Sequence, residues 1–499
     1  MIFVTFLRSG GFISMNKSII RYVLGHILII EGALMLLPCL VALFYQERNG
    51  IYFLIVAALC EVIVFLMSRK KPKSYLIYTK EGCVTTALSW ILLSIFGAIP
   101  FVLTGEIPSF TDALFETISG FTTTGASILS DVESLSHCSI FWRSFTHWIG
   151  GMGVLVFLLA IVPLSGGSNI NLMKAESPGP TVGKLVPKVR YTARILYIIY
   201  FSLTLIQIAL LLFGGMNLFD SVTISFGTAG TGGFSIKNDG MASYSLYIKW
   251  VVTIFMTLFG VSFNAYYILL FSRDKKAFLI DEVKWYFIII LTATAIITIR
   301  IIGISGSFVT ALTDSAFQVS SIITTTGYST TDFDLWDETS KAILVLLMFI
   351  GACSGSTGGG IKVSRFVVAI KTIFKEITSF IHPRCVKKIK MDGKPVEHET
   401  IRSINVYFIT FIMLFVISTL LVSLEGQGFI TTFTSVTTCI NNIGPGLDKV
   451  GPTCNFGFLS LLTKYVLMFD MLAGRLELFP LLLLFHPTLI KDFFTRSRR

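Results

Sequence analysis

The chain has 499 residues, 53% of them hydrophobic and only 14% charged, with a mean hydropathy of +0.77. Soluble domains carry about 25% charged residues, so this composition excludes an ordinary soluble protein and points to a single bundle embedded in lipid. The formal net charge of +11 would suit a nucleic-acid binder, but its distribution along the chain excludes that reading, as the loops show.

Residues 1–14 precede Met15-Asn16-Lys17, which reads as a start and makes 1–14 an upstream extension. The run Ile2–Leu7 is shorter than a signal-peptide core, and Arg8 follows it with no cleavage-like sequence. Two spans come next, 22–46 and 51–68, parted by the polar turn Gln46-Glu47-Arg48-Asn49-Gly50, so 15–72 holds two N-terminal transmembrane helices. The pattern then changes. A long span (84–104), a shorter and more polar segment (110–129) and another long span (141–163) follow in that order. The order recurs as 195–214, 217–235, 246–271; as 285–304, 308–330, 341–373; and as 403–424, 428–446, 457–486. Self-similarity of this kind marks repeats, here 73–180, 181–276, 277–382 and 383–499, the last ending in a cytoplasmic tail.

Basic residues cluster in alternate loops: Arg69, Lys70, Lys71 and Lys73; Lys174, Lys184, Lys188, Arg190 and Arg194; Arg273, Lys275 and Lys276; Arg384 to Lys394; Arg496 to Arg499. The intervening loops carry Glu106, Asp131, Glu133, Asp239, Asp332, Asp334, Asp337 and Glu338. That is the positive-inside pattern, which places both termini in the cytoplasm and accounts for the charge without nucleic acid.

The middle segment of each repeat is rich in Thr, Ser and Gly. Such a segment enters a membrane only where protein buries it or it lines a watery cavity. Both of its flanks lie on the acidic side, so it must enter and leave there, and each repeat reads as span, re-entrant loop, span. The four turns are Thr123-Thr124-Gly125-Ala126-Ser127, Thr231-Gly232-Gly233-Phe234-Ser235, Thr325-Thr326-Gly327-Tyr328-Ser329 and Asn442-Ile443-Gly444-Pro445-Gly446. They align without gaps on Gly125, Gly233, Gly327 and Gly444, with Thr, Thr, Thr and Asn two positions earlier. Thirteen positions earlier stand Asp112, Asp220, Asp314 and Thr431, all good N-cap residues. The spacing predicts four short helices that start at these caps and aim their negative ends at one point. Each is followed by a glycine that lets the chain turn back with inward carbonyls. Four such turns can replace a cation's hydration shell with backbone oxygen. Small residues that merely let helices pack would not need one register across four loops.

In the third repeat the second span is interrupted by Gly351-Ala352-Cys353-Ser354-Gly355-Ser356-Thr357-Gly358-Gly359-Gly360. Glycine costs a helix about 1 kcal/mol relative to alanine, so a break is expected at mid-membrane depth, and it reads as a gate. It is no P-loop, since Ile361 separates Gly360 from Lys362. Arg475 lies within the last apolar stretch, and a charge there faces a cavity by default, where it would raise a barrier to cations. Pairing with Asp470 or Glu477 is the alternative, at spacings that do not share a helix face. Lys362 is either a second such charge or a side chain that snorkels to the interface. Eight cysteines and six histidines (His26, His137, His147, His382, His398, His486) show no metal-ligand or catalytic spacing, so no enzyme and no covalent cofactor is indicated.

Four segments together resemble the TrkH/TrkG/KtrB superfamily of potassium transporters, and most of all its TrkH branch. They are His147-Trp148-Ile149-Gly150-Gly151-Met152-Gly153, Gly351–Lys362, Asn441 to Gly446, and Gly474-Arg475-Leu476-Glu477. The resemblance implies an all-α membrane protein with four span–pore loop–span repeats in pseudo-fourfold arrangement around one pore, plus two extra N-terminal helices. It implies K⁺ as the transported ion, with filter positions at Thr123, Thr124, Gly125, Thr231, Gly232, Gly233, Thr325, Thr326, Gly327, Asn442, Ile443 and Gly444. Gly351, Gly355, Gly358, Gly359, Gly360, Lys362 and Arg475 map onto the family's gate. A homodimer and a cytoplasmic, nucleotide-binding regulator of the TrkA type are also implied. Gly125, where related plant transporters that pass sodium have serine, favours potassium. The fourth turn departs most from the others, so selectivity over Na⁺ is expected to be moderate. Symport of K⁺ with Na⁺ or H⁺ is the alternative to a gated, channel-like pore.

Overall fold

Apolar runs of this length satisfy their backbone groups inside lipid only as helices, and helices are what the chain forms. A computed structural model describes residues 15–68, 72, 74, 77–153, 189–271, 280–384 and 387–494. The basic residues of 174–188 and 273–276, the end of the predicted span 141–163, and the segment 1–14 lie outside the described residues.

At the N-terminal end α1 (Lys17–Leu34) and α2 (Leu36–Tyr45) make one 29-residue span, and α3 (Gly50–Ser68) returns beside α1. The join between α1 and α2 falls just before Pro38, which has no N–H to offer the carbonyl of Leu34. Four groups follow. The first has α4 (Thr79–Thr104), α5 (Phe110–Phe121) and α6 (His137–Met152). The second has α7 (Val189–Phe213), α8 (Leu218–Gly230), α9 (Leu246–Phe259) and α10 (Phe263–Phe271). The third has α11 (Asp281–Ser305), α12 (Phe308–Ile323), α13 (Glu338–Phe349) and α14 (Val363–Ile381). The fourth has α15 (His398–Ser423), α16 (Phe429–Ile440), α17 (Leu461–Arg475), α18 (Phe479–Leu483) and α19 (Pro487–Phe494). Among the described residues the strands are a small antiparallel hairpin pairing Lys390 with Pro395 and Met391 with Lys394.

Lys17–Tyr45, Thr79–Thr104, Ala193–Phe213, Asp281–Ser305 and His398–Ser423 are long and apolar enough to cross a membrane. The short helices α5, α8, α12 and α16 have 12, 13, 16 and 12 residues. At 1.5 Å per residue they reach about 18–24 Å, less than the roughly 30 Å of hydrocarbon, and each gives way to an extended return. Each short helix packs on spans of its own group and on the second span of the group before: α8 on α6, α12 on α9, α16 on α13, and α5 on α17. The order closes on itself, so the four groups form a ring.

In the second, third and fourth groups the second span is not one straight helix. Between α9 and α10 the chain bends by 90° at Gly260–Ser262. Residues 350–362 separate α13 from α14, where the glycine-rich interruption was expected. In the fourth group α17 ends at Arg475, and Glu477 and Leu478 take left-handed backbone (φ 52° and 70°) before the short α18. The predicted continuous spans 246–271 and 457–486 are therefore broken. Apolar composition extends across both breaks and conceals them from a hydropathy reading.

Candidate functional site

The short helices end alike. In each, the N–H of the residue two before the aligned glycine bonds three residues back, and the next N–H bonds five residues back. The pairs are Thr123 to Gly120 (3.1 Å) and Thr124 to Ser119 (2.8 Å); Thr231 to Thr228 (3.1 Å) and Gly232 to Gly227 (2.8 Å); Thr325 to Ile322 (3.0 Å) and Thr326 to Ser321 (2.8 Å); Asn442 to Cys439 (3.3 Å) and Ile443 to Thr438 (2.9 Å). This is the Schellman pattern, whose pivot takes left-handed backbone and is usually glycine. Here the pivots are Thr123, Thr231, Thr325 and Asn442, with φ of 54°, 54°, 60° and 55°. Gly125, Gly233, Gly327 and Gly444 follow at φ of 78°, 78°, 84° and 97°.

The turns touch in cyclic order. A Cβ on Gly125 would strike the carbonyl of Gly232, one on Gly233 that of Thr326, one on Gly327 that of Ile443, and one on Gly444 that of Thr124. Thr123, Thr124, Thr231, Thr325, Thr326, Asn442 and Ile443 are fully buried in this ring. On one side of it a cavity is lined by Gly125 to Ser127, Gly233 to Ser235, Gly327 to Ser329, Gly444 and Pro445. On the other side lies a cavity lined by Trp90, Gly151 to Gly153, Gly358 to Gly360, Lys362, Gly474 and Arg475.

The returning strands are pinned to their helices. Ser127 Oγ donates to Glu116 at 3.0 Å, Ser321 Oγ to the carbonyl of Tyr328 at 2.6 Å, and Thr434 Oγ1 accepts from the N–H of Leu447 at 3.2 Å. The four predicted caps, however, do not cap. Ser109, Asn217 and Ser307 do, accepting from the N–H of Asp112 (3.4 Å), Asp220 (2.7 Å) and Val309 (3.3 Å), and Gly428 stands at the fourth start. Asp112, Asp220 and Thr431 fall at the third helical position, where a carboxylate still meets the positive helix end. Asp314 lies a full turn and more inside α12 and accepts from Thr330 Oγ1 at 2.9 Å. Ser or Asn followed three residues later by Asp offers two plausible caps, and composition alone does not choose between them.

The glycine-rich interruption lies against the base of the ring. Gly359 N–H donates to Thr325 Oγ1 at 2.7 Å, and Gly351 N–H to the carbonyl of Ile361 at 2.7 Å. The segment also leans on the bend of the second group, through Cys353 N–H to Gly260 O (3.0 Å) and Phe263 N–H to Gly355 O (2.9 Å). Gly355 and Gly360 take φ of 71° and 64°. Lys362 does not snorkel: it is buried, and its ammonium donates to the carbonyls of Gly358 and Gly359. Arg475 faces the same cavity and donates to the carbonyls of Thr357 (2.9 Å), Gly151 (2.8 Å) and Gly150. Asp470 instead accepts from Ser418 Oγ at 2.7 Å, and Glu477 pairs with Arg365.

Three buried residues beside the ring, Glu116, Arg143 and His147, have no site role in the sequence reading. Arg143 Nε donates to Glu116 at 2.6 Å, and His147 stands one turn further along α6, both fully or nearly fully buried. The available signal was a charge inside an apolar segment, which both Glu116 and Arg143 satisfy.

A helical membrane bundle whose four re-entrant turns close a ring between two cavities has the form of an ion-transport protein. The chain is matched over residues 48–497 by the model of the TrkH family, described as cation transport protein. It is 34% identical to the Trk system potassium uptake protein TrkH of Salmonella typhimurium, over 96% of this chain and all of that one. It is 33% identical to TrkG of Escherichia coli, over 97% of this chain and all of that one. The crystal structure of the potassium transporter TrkH from Vibrio parahaemolyticus superposes with a TM-score of 0.85 at 29% identity, covering 95% of this chain and 100% of that one. The chain belongs to the TrkH family of cation transport proteins, a family of membrane transporters and not of enzymes.

Proposed function

We propose that this protein takes up K⁺ through a gated, channel-like pore in a bacterial cell membrane. The ring of four turns is its selectivity filter, with ion sites at Thr123, Gly125, Thr231, Gly233, Thr325, Gly327, Asn442 and Gly444. The observation that carries the reading is the cyclic contact of the aligned glycines with the next turn's carbonyls, because a closed ring of backbone oxygen is what a dehydrated cation needs. The Trk potassium uptake proteins among its relatives supply the ion. Each glycine can approach a neighbouring carbonyl only because it lacks a Cβ, so the ring's width is set by backbone.

The segment Gly351–Gly360 with Lys362 and Arg475 acts as the gate beneath the filter. Two cations bound to its carbonyls, the buried Lys362 and the half-buried Arg475, oppose a K⁺ ion in the same cavity. A homodimer, a TrkA-type nucleotide-binding regulator at the cytoplasmic face, cytoplasmic termini, and four repeats with the boundaries given above complete the proposal. Expression in a bacterium that lacks its own K⁺ uptake systems, together with a TrkA-type partner, is expected to restore growth at low external K⁺. Absence of growth with the protein inserted in the membrane would refute the proposal.

A further inference from the structure

The four turns are not held alike. In the first and third, two threonines flank the left-handed residue and bond to each other, Thr122 Oγ1 to Thr124 Oγ1 at 2.8 Å and Thr324 Oγ1 to Thr326 Oγ1 at 2.7 Å. The same two positions of the second turn are Gly230 and Gly232, which have no side chain to offer. Their space is filled from the first repeat. The imidazole of His147 lies where a Cβ on Gly232 would stand. Its Nδ1 contacts the carbonyl of Gly120 at 2.8 Å, and its Nε2 contacts the N–H of Phe234 at 3.2 Å. A carbonyl only accepts and an N–H only donates, so the proton is on Nδ1 and the ring is neutral.

One helical turn earlier Arg143 extends the hold. It donates to the carbonyl of Ser235 at 2.8 Å, its guanidinium carbon stands 3.6 Å from the centre of the Phe234 ring, and Glu116 anchors it from the first short helix. The second turn is thus gripped at Gly232, Phe234 and Ser235 by side chains of the first repeat.

We propose that His147, backed by Arg143, is a positioning residue for ion selection, supplying the second turn with the side-chain buttress that the first and third turns carry themselves. The proposal rests on the filter reading above. A filter that selects by fit discriminates between cations while the spacing of its backbone oxygens resists collapse onto the smaller ion. A turn with glycine at both flanking positions lacks the side-chain bond that joins those positions in the first and third turns.

The test uses the full chain in liposomes, with the K⁺/Na⁺ permeability ratio read from reversal potentials. His147→Ala is expected to lower the ratio about five- to tenfold, the scale of one lost buried hydrogen bond. Adding Gly232→Thr is expected to restore it to within about threefold of wild type on the same scale. The three atoms nearest a Cβ on Gly232 are all ring atoms of His147, and threonine is what Thr124 and Thr326 already provide. A ratio unchanged in His147→Ala, or not restored in the double variant, overturns the proposal. Should His147→Ala alone not fold, the coupling is read from the other side. Gly232→Thr by itself drives a side chain into the ring and lowers the ratio, and adding His147→Ala raises it; a double variant no better than Gly232→Thr overturns the proposal. A wild-type protein that passes K⁺ and Na⁺ equally would sink the filter reading itself, a different failure.

Discussion

A β-branched residue with positive φ is a genuine outlier, and this protein places three of them, Thr123, Thr231 and Thr325, at equivalent points of one ring. Strain of this kind costs of the order of 1–3 kcal/mol per residue and persists only where the surroundings over-determine it. Here two backbone bonds close each turn and the neighbouring turn presses against it. The glycines two residues on do a different job, since at Gly125 both the φ of 78° and the Gly232 carbonyl forbid a side chain. Gly125→Ser should therefore push the first and second turns apart and admit more Na⁺. Reversal potentials under mixed K⁺ and Na⁺ should show a lower K⁺/Na⁺ ratio, and an unchanged ratio would remove Gly125 from the filter. The glycines and the residues two before them were legible in the sequence, because identical backbone geometry demands the same residue types at one spacing. The left-handed backbone at threonine was not, because propensity argues against it.

At the scale of elements, side chains decide how the short helices are anchored, and here the sequence was a poorer guide. The caps lie three residues before the predicted ones where Ser109 precedes Asp112 and Asn217 precedes Asp220. The Glu116–Arg143 pair was missed although both residues stand in apolar surroundings. That pair joins α5 to α6, with 1% and 3% exposure, and Glu116 also accepts from the N–H of Ile128 at 3.0 Å. Removing one partner of a buried pair costs about 3–5 kcal/mol, because the other charge is left uncompensated. Glu116→Gln is thus expected to lower the thermal unfolding temperature in detergent markedly. Lys341→Ala, which removes a surface pair between a half-buried lysine and the exposed Glu338, should cost no more than about 1 kcal/mol. Equal shifts for the two variants would mean that the buried pair does not hold the turn.

The break after α17 belongs to the same scale. Arg475 bonds the carbonyls of Gly150 and Gly151 at the end of α6 and of Thr357 in the glycine-rich segment. It thereby ties three of the four groups together across the cavity. Alanine there removes both the tie and a charge on the ion path. Arg475→Ala should raise K⁺ flux from loaded liposomes in the absence of any regulator, and a flux at or below wild type would contradict the barrier role. The presence of Arg475 in an apolar stretch was readable from sequence alone. The carbonyls it bonds were not, since backbone atoms of other groups leave no trace in side-chain spacing.

At the scale of the whole molecule, the ring is closed by two independent sets of contacts: short helix against the preceding group's second span, and glycine against the next turn's carbonyl. Four repeats in one chain can therefore diverge while still closing. The second turn has glycine at both flanking positions, and the fourth has Ile443 and Pro445 beside Gly444. The described cavities lie one on each side of this ring, so an ion passing between them goes through it. Such a path needs no second ion to drive it. With a K⁺ gradient alone across a liposome membrane, the reversal potential should sit near the K⁺ equilibrium value. Imposing an H⁺ gradient at constant K⁺ should leave it there, and imposing a Na⁺ gradient should move it only as far as the measured Na⁺ permeability allows. A reversal potential that follows a fixed K⁺:Na⁺ or K⁺:H⁺ stoichiometry would establish symport and overturn the channel-like pore.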